Sequence, residues 1–264
     1  MRFVDKIESA DAILIGFPVD QGTENKGCVD APAKIREAFD NFYFSENVKE
    51  KKVYDASDVV EEENFEKTME KIEIKIAKLL EYKKPIISIG GNHSITTPIV
   101  KAFYKNNKNF GVIFIDAHPD CQKGYFPFGD VVTKIVEQNI PIVLIGLRNW
   151  SKDEYEFLIK NKIPFLQAKE FSVERAIKLA KENLPKDVYI SFDIDAVDPA
   201  FAPGTGCIEP CGISSRDALN LLHTINKNFN IIGFDLVEVN PSKDINNLTT
   251  NLAAKIIFEV VDDL

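Results

Sequence analysis

The chain contains six short runs in which nearly every position is apolar, and most of these runs are rich in β-branched residues. None alternates strictly between apolar and polar positions, which is typical of strands that are buried on both faces of a sheet. The pattern therefore predicts strands over residues 12–17, 85–89, 110–115, 141–147, 188–192 and 231–237.

Between these runs lie segments whose apolar residues recur at helical spacing. The clearest covers residues 65–82, in which Ile72 and Ile76 share one predicted helix face. Similar patterns predict helices over residues 31–44, 215–226 and 248–261. Strands that alternate with helices indicate the α/β class, with a mostly parallel sheet covered on both faces. Ligands of such sheets bind beyond the carboxyl ends of the strands.

The length of 264 residues and the absence of repeats or low-complexity linkers predict one domain over residues 1–264. Hydrophobic residues make up 45% of the chain, which is enough for a sizeable core. The net charge is −9, from 32 Lys and Arg against 41 Asp and Glu. An acidic surface repels phosphate backbones, so we expect no nucleic-acid partner and favour cationic small molecules or metal ions.

The N-terminal segment is charged and has no apolar stretch, so no secretory signal is predicted. No apolar run approaches the roughly 18 residues of a membrane span, and none is predicted. The chain has four cysteines, too few for a disulfide scaffold, and we expect a reduced, cytoplasmic setting. Cys207 and Cys211 have no second pair or neighbouring histidine, so a zinc site there is disfavoured.

Polar residues follow four of the predicted strands directly. The segments are GGNHS at 90–94, DAHPD at 116–120, DIDAVDP at 193–199 and EVNP at 238–241. Any one of them has an ordinary structural interpretation: Asp198-Pro199 alone is typical of a turn, for example. Buried carboxylates and imidazoles are costly without a partner, however, and four such strand ends together indicate a shared metal site.

The spacing of these residues supports that interpretation. In an extended chain Asp116, His118 and Asp120 face one side, and Asp193 and Asp195 do the same. Two imidazoles and four carboxylates form a hard ligand set that suits Mn²⁺ better than Zn²⁺, and six ligands suit two ions. The candidate metal ligands are His93, Asp116, His118, Asp120, Asp193 and Asp195.

The motifs GGNHS at 90–94, DAHPD at 116–120 and SFDIDAVDPAFAPGTG at 191–206 resemble the ureohydrolase family, which includes arginases, agmatinases and formimidoylglutamases. The resemblance extends from about Gly16 to the C-terminus and includes FDLVEVNP at 234–241. It implies a three-layer α/β/α fold with a mostly parallel sheet of about eight strands. It also implies two Mn²⁺ per chain on the six candidate ligands and a homo-oligomer, either a trimer or a hexamer.

By the same resemblance, His93 serves one manganese and His118 the other, with Asp120 and Asp195 among the shared ligands. Two ions lower the pKa of a water, which attacks the central carbon of a guanidino or formimidoyl group. The resemblance gives two residues a catalytic role. Asp120 holds the water and accepts its proton, and Glu238 binds the cationic end of the substrate.

The chain departs from the family pattern at positions that bear on the substrate. The best alignment puts Phe128 where arginases and agmatinases have a histidine that is thought to shuttle protons, and formimidoylglutamases often lack that histidine too. The acids that bind the α-amino group of arginine are replaced by Asn149 and Ser151, and Gln122 stands where arginases have asparagine. Strict arginase activity is therefore disfavoured.

Three hypotheses follow for the function. The first is an agmatinase-like hydrolase of a linear guanidino or amidino compound that releases urea, with a formimidoylglutamase that releases formamide as its alternative. The second is a catalytically impaired relative that acts as a binding or regulatory protein, which Phe128 would support. The third is a deacetylase-like enzyme with one ion, against which the complete second set of ligands argues.

Overall fold

A computed structural model describes residues 1–23, 26–47, 50–122, 124 and 128–264, and of Phe128 it describes only the backbone. Within this part of the chain nine strands form one sheet, in the order β1-β3-β2-β4-β9-β8-β5-β6-β7, and every neighbouring pair is parallel. The strands are β1 Arg2–Phe3, β2 Ala12–Phe17, β3 Lys52–Asp58, β4 Ile86–Gly90, β5 Gly111–Ile115, β6 Ile142–Leu147, β7 Phe165–Gln167, β8 Asp187–Asp193 and β9 Asn230–Val237.

All six predicted strands are confirmed, each with boundaries within one residue of the prediction. The sheet has three further strands, β1, β3 and β7, that the apolar pattern did not predict. They lie at or next to the two edges of the sheet. Both residues of β1 are exposed, and β3 and β7 are only partly buried. Strands at an edge lack a neighbour on one side, so their sequences contain polar positions that break the apolar run.

Eight α-helices connect the strands in the described chain. They are α1 Ala31–Ala38, α2 Phe65–Leu80, α3 Thr96–Asn106, α4 Val131–Glu137, α5 Lys152–Lys160, α6 Val173–Asn183, α7 Ser215–Asn228 and α8 Leu248–Asp263. The predicted helices at 65–82, 215–226 and 248–261 are confirmed as α2, α7 and α8. The predicted helix at 31–44 is shorter: α1 ends at Ala38 and continues only as a single 3₁₀ turn, Phe39–Asn41. None of these helices is long and apolar enough to cross a membrane.

The helices form a layer on each face of the sheet, which confirms the expected three-layer α/β/α architecture. Strand β5 shows how one strand serves both layers, because its side chains alternate between two cores. Ile113 and Ile115 pack in the core beneath α1, α6, α7 and α8. Val112 and Phe114 pack in the core beneath α2, α3, α4 and α5.

Strands β4, β9, β8 and β5 lie side by side in the middle of the sheet. These are the four strands whose carboxyl ends are followed by the polar segments. Because all four run parallel, the segments meet at the same edge of the sheet. The strand order therefore brings together residues that are up to 145 positions apart in sequence, such as His93 and Glu238.

Candidate active site

The structure brings all seven candidate site residues to the carboxyl ends of these central strands. His93 lies in a 3₁₀ turn after β4, and Asp116, His118 and Asp120 follow β5. Asp193 is the last residue of β8, Asp195 lies in the next turn, and Glu238 follows β9.

The spacing of these residues predicted extended segments, but the segments turn directly after the strands. Strand β5 ends at Ile115, and Asp195 lies in a 3₁₀ turn instead of a strand. Asp120 and Glu238 both have left-handed backbones, with φ of 43° and 62°. Non-glycine residues rarely adopt this conformation, and where they do it often serves a functional site. Turns, and not strand alternation, therefore direct these side chains toward one another.

A first ligand group surrounds His93. Its Nδ1 atom lies 3.2 Å from a carboxylate oxygen of each of Asp116, Asp120 and Asp193. The ring is buried and stacks on Phe114, with 4.7 Å between ring centroids and 1° between planes. The stacking fixes the plane of the imidazole with Nδ1 toward the carboxylates.

A second ligand group surrounds His118. Its Nδ1 atom lies 3.0 Å from Asp195 Oδ2 and 3.5 Å from Asp116 Oδ1. Asp116 is thus the carboxylate that belongs to both groups. The family resemblance implies that Asp120 and Asp195 are shared ligands. In this geometry each of them lies in one group, and their sharing stays a prediction.

Backbone N–H groups hold the carboxylates in position. His118 N donates to Asp116 Oδ1 at 2.6 Å, and Ala117 N donates to Asp195 Oδ1 at 3.1 Å. Asp195 N donates to Asp193 Oδ1 at 2.8 Å. Each of these carboxylates therefore keeps its other oxygen for the cluster, so the site is preorganised.

Burial and the neighbouring charges shift the pKa values of these carboxylates in different directions. Burial raises the pKa of Asp120 to about 6, and the nearby Asp116 carboxylate adds to the effect. Burial raises the pKa of Asp193 well above its usual value, as do Asp195 and Asp116. Burial also opposes ionisation of Asp116, but the neighbouring imidazoles of His118 and His93 favour its charged form and lower its pKa to about 2. So much negative charge in a buried site is relieved by a bound cation.

The donor set fits a pair of divalent metal ions. His93 Nδ1 and Asp116 Oδ2 are buried and make no hydrogen bond within the described chain, although both point into the cluster. Buried polar atoms of this kind need a partner. Each group offers one imidazole nitrogen together with carboxylate oxygens, and Asp116 can bridge the two positions.

Glu238 lies beside the first group. Its Oε1 atom accepts from His93 N at 2.8 Å, and its Oε2 atom is 3.7 Å from the Cys28 thiol, which donates to it. Burial raises the pKa of Glu238 to about 7, against the effect of the His93 N–H. The carboxylate also lines the pocket, so it can reach a cationic ligand.

Four further residues support His93. Two of them, Ser191 and Asp235, belong to the motifs at 191–206 and 234–241, but none of the four was predicted as a site residue. His93 Nε2 is 2.9 Å from Ser191 Oγ, which donates to Asp235 at 2.8 Å. Asp235 is fully buried and also accepts from Thr96 and Tyr189. Asp235 is the single charged residue within the apolar run 231–237, and that was the signal available in the sequence.

A pocket of about 300 Å³ opens over the two groups. Its described lining contains five carboxylates and no lysine or arginine. The lining residues are Thr23, His93, His118, Asp120, Gln122, Gly129, Asn149, Trp150, Ser151, Glu154, Asp193, Asp195, Cys207 and Glu238. The question of Phe128 as the replacement for a shuttle histidine lies outside the described residues, because its side chain is not described.

The cysteines and Asp198, which also lie near the ligand segments in the sequence, differ in their positions relative to the pocket. Three cysteines, Cys121, Cys207 and Cys211, follow candidate ligand segments in the sequence. Cys207 lines this pocket, whereas Cys121 is buried and Cys211 is exposed outside its described lining. Asp198 accepts hydrogen bonds from the backbone of Ala200 and Gly212, as expected for a turn.

Comparisons with known proteins agree with this geometry. The sequence profile described as "Arginase family" matches residues 10–262. The agmatinase of Bacillus subtilis (strain 168) is 33% identical over 272 residues, which cover 96% of this chain and 92% of the relative. The solved structure of proclavaminate amidino hydrolase from Streptomyces clavuligerus superposes with a TM-score of 0.88 at 27% identity, covering 99% of this chain and 94% of the other. Formimidoylglutamase from Bacillus subtilis shares the fold, with a TM-score of 0.90 at 20% identity over 99% and 90% of the two chains.

Proposed function

Because the chain belongs to the arginase family and is a hydrolase of C–N bonds in guanidino compounds, we propose that it is a dimanganese enzyme that releases urea from an agmatine-like substrate. One observation supports this most strongly. Two histidine–carboxylate groups, joined by Asp116, open into the same pocket as the Glu238 carboxylate. The proposed ligands are His93, Asp116, His118, Asp120, Asp193 and Asp195.

Glu238 and Asp120 carry the proposed chemistry. When bound, two divalent ions lower the pKa of a water and offset the charge of the carboxylates. Glu238 binds the planar guanidinium through two parallel N–H···O bonds and so places its central carbon. Asp120 accepts a proton from the water as oxygen bonds to that carbon, and it returns the proton to the leaving nitrogen. The C–N bond breaks, the remaining hydroxyl proton of the tetrahedral species passes to the leaving amine, and urea and a protonated amine leave.

Other residues that line the pocket favour a substrate with a cationic tail. Glu154 is buried in the pocket wall and belongs to the capping box of α5, in which Glu154 Oε2 accepts from Ser151 N at 2.8 Å. Trp150 also lines the pocket, and aromatic rings attract ammonium groups. No cationic side chain in the described lining could pair with a carboxylate tail. This favours agmatine over formimidoylglutamate, which carries two carboxylates.

A product assay tests the proposal. Metal-free full-length protein is reloaded with Mn²⁺ and offered agmatine, arginine, 4-guanidinobutyrate and formimidoylglutamate separately. We expect urea from agmatine, with the highest kcat/KM of the four. Formamide from formimidoylglutamate would support the alternative enzyme. No product from any compound, with two manganese ions bound per chain, would contradict the proposal and support a protein that only binds its ligand.

We further propose one domain over residues 1–264, from the length of the chain, and a cytoplasmic location, from its few cysteines. As the family resemblance implies, we also propose a trimer or hexamer of identical chains. Light scattering tests the assembly, and a monomer at micromolar concentration would contradict it. Limited proteolysis tests the domain, since two stable fragments would indicate two domains.

A further inference from the structure

Glu209 contacts a proposed metal ligand from outside the cluster. Its Oε1 atom lies 3.3 Å from His118 Nε2, and both side chains are 22% exposed. Glu209 belongs to the loop between β8 and α7 and is not among the ligands or the residues that line the pocket. The proposed chemistry gives it no role.

The two histidines have the same arrangement. In each ring Nδ1 faces the carboxylates of its group and Nε2 faces away. An imidazole that binds a metal through one nitrogen carries its proton on the other, and that N–H needs an acceptor to fix the ring and raise its basicity. For His93 the acceptor is Ser191, backed by Asp235. For His118 it is Glu209.

Neighbouring contacts fix Glu209 relative to the ligand segments. Asn149 Nδ2 donates to the same Oε1 atom at 2.6 Å. The Arg148 guanidinium donates to the carbonyl of Glu209 at 2.7 Å and to that of Asp195 at 2.6 Å. Arg148 N in turn donates to Ala117 O at 2.9 Å, next to His118. Arg148 thereby ties the Glu209 loop to both segments that supply the second group.

We propose that Glu209 is a positioning residue that orients His118 and sets the affinity of the ion in the second group, independently of the first. The inference rests on the two-metal centre of the proposed function. A loop-bracing role alone would need only the contact with Asn149. The additional contact with His118 Nε2 supplies the acceptor that a ligating imidazole requires.

The test is Mn²⁺ binding by metal-free full-length protein, measured by calorimetric titration and by counting ions retained after dialysis. The variants are Glu209→Gln, Glu209→Ala and, for the other histidine, Ser191→Ala. Glu182→Gln, at an exposed ion pair with Lys178 on α6, is the matched control. The melting temperature of each metal-free variant shows whether it remains folded.

We expect wild type and Glu182→Gln to bind two ions. In Glu209→Gln one ion should bind about 10- to 100-fold more weakly while the other is unchanged. Glu209→Ala should behave alike, and combining Glu209→Gln with Ser191→Ala should weaken both ions. If wild type binds two ions and the titration curves of both Glu209 variants superimpose on its curve, the role of Glu209 is overturned, whereas the proposed function is not. Equal weakening of both ions together with a lower metal-free melting temperature would also overturn that role. A wild type that binds fewer than two ions would instead overturn the proposed two-metal centre.

Discussion

Replacing Glu238 by glutamine gives the sharpest test of the proposed substrate contact. In the wild type His93 N donates to Glu238 Oε1 at 2.8 Å, and the amide of the variant retains an oxygen that can accept this hydrogen bond. It removes the negative charge and one of the two acceptors for a guanidinium. A hydrogen bond between charged groups contributes about 1.5–3 kcal/mol, which corresponds to a roughly 10- to 150-fold rise in KM for agmatine. The effect on kcat should be smaller, because the contact exists before the reaction as well as during it.

The stability of the variant separates a lost contact from a damaged fold. Burial raises the pKa of Glu238 to about 7, so the ionised carboxylate destabilises the folded protein at pH 8. The neutral amide removes this penalty. Metal-free Glu238→Gln should therefore melt at the wild-type temperature or above it at pH 8.

Steady-state kinetics on agmatine at saturating Mn²⁺ provide the measurement, with Glu182→Gln again as the control. A KM within threefold of wild type would refute the assignment of Glu238 as the guanidinium partner. A fall in kcat at constant KM would also refute this assignment. It would mean that Glu238 stabilises only the transition state and does not contribute to substrate binding.

Three further predictions concern the water, the loop and the metal. Asp120→Asn should lower kcat at least about 100-fold without lowering the melting temperature, since it removes the proposed general base; near-normal turnover would assign the proton to another group. Gly91→Ala should destabilise the protein by about 3 kcal/mol or more in urea unfolding, because its Cβ would lie 2.1 Å from Val19 O. Gly129→Ala, where a Cβ meets no atom of the described residues within 4 Å, is the control, and equal stability of the two variants would disprove the clash. Chelation should lower the melting temperature, and Mn²⁺ at 100 times its Kd should return about 2.7 kcal/mol per site; identical melting curves would contradict metal binding by the folded protein.

The apolar pattern predicted the centre of the sheet because strands that are covered on both faces have few polar positions. Strand β3 was not predicted because polar residues interrupt its apolar run. Lys52, Asp55 and Asp58 interrupt it, and the last two pair with Arg36 of α1. Helix α5 has a signal that the apolar pattern did not use, namely the S-x-x-E capping box formed by Ser151 and Glu154.

The sequence by itself determined the class of fold, the family and the identity of the candidate ligands. These properties depend on local periodicity and on the residue types next to strand ends. Both can be recognised without knowing which strands are neighbours in the sheet. The six candidate ligands and Glu238 lie together, although nothing in the chain specified the turns at Asp120 and Glu238 that direct them.

Only the tertiary structure decided how those residues are paired. The strand order β4-β9-β8-β5 is not the order along the chain, and it makes Asp116 the common carboxylate. It also places Asp235 behind His93 and Glu209 behind His118, across 142 and 91 positions of sequence. Contacts of this range depend on long crossover connections, and local sequence patterns carry no information about which strands become neighbours.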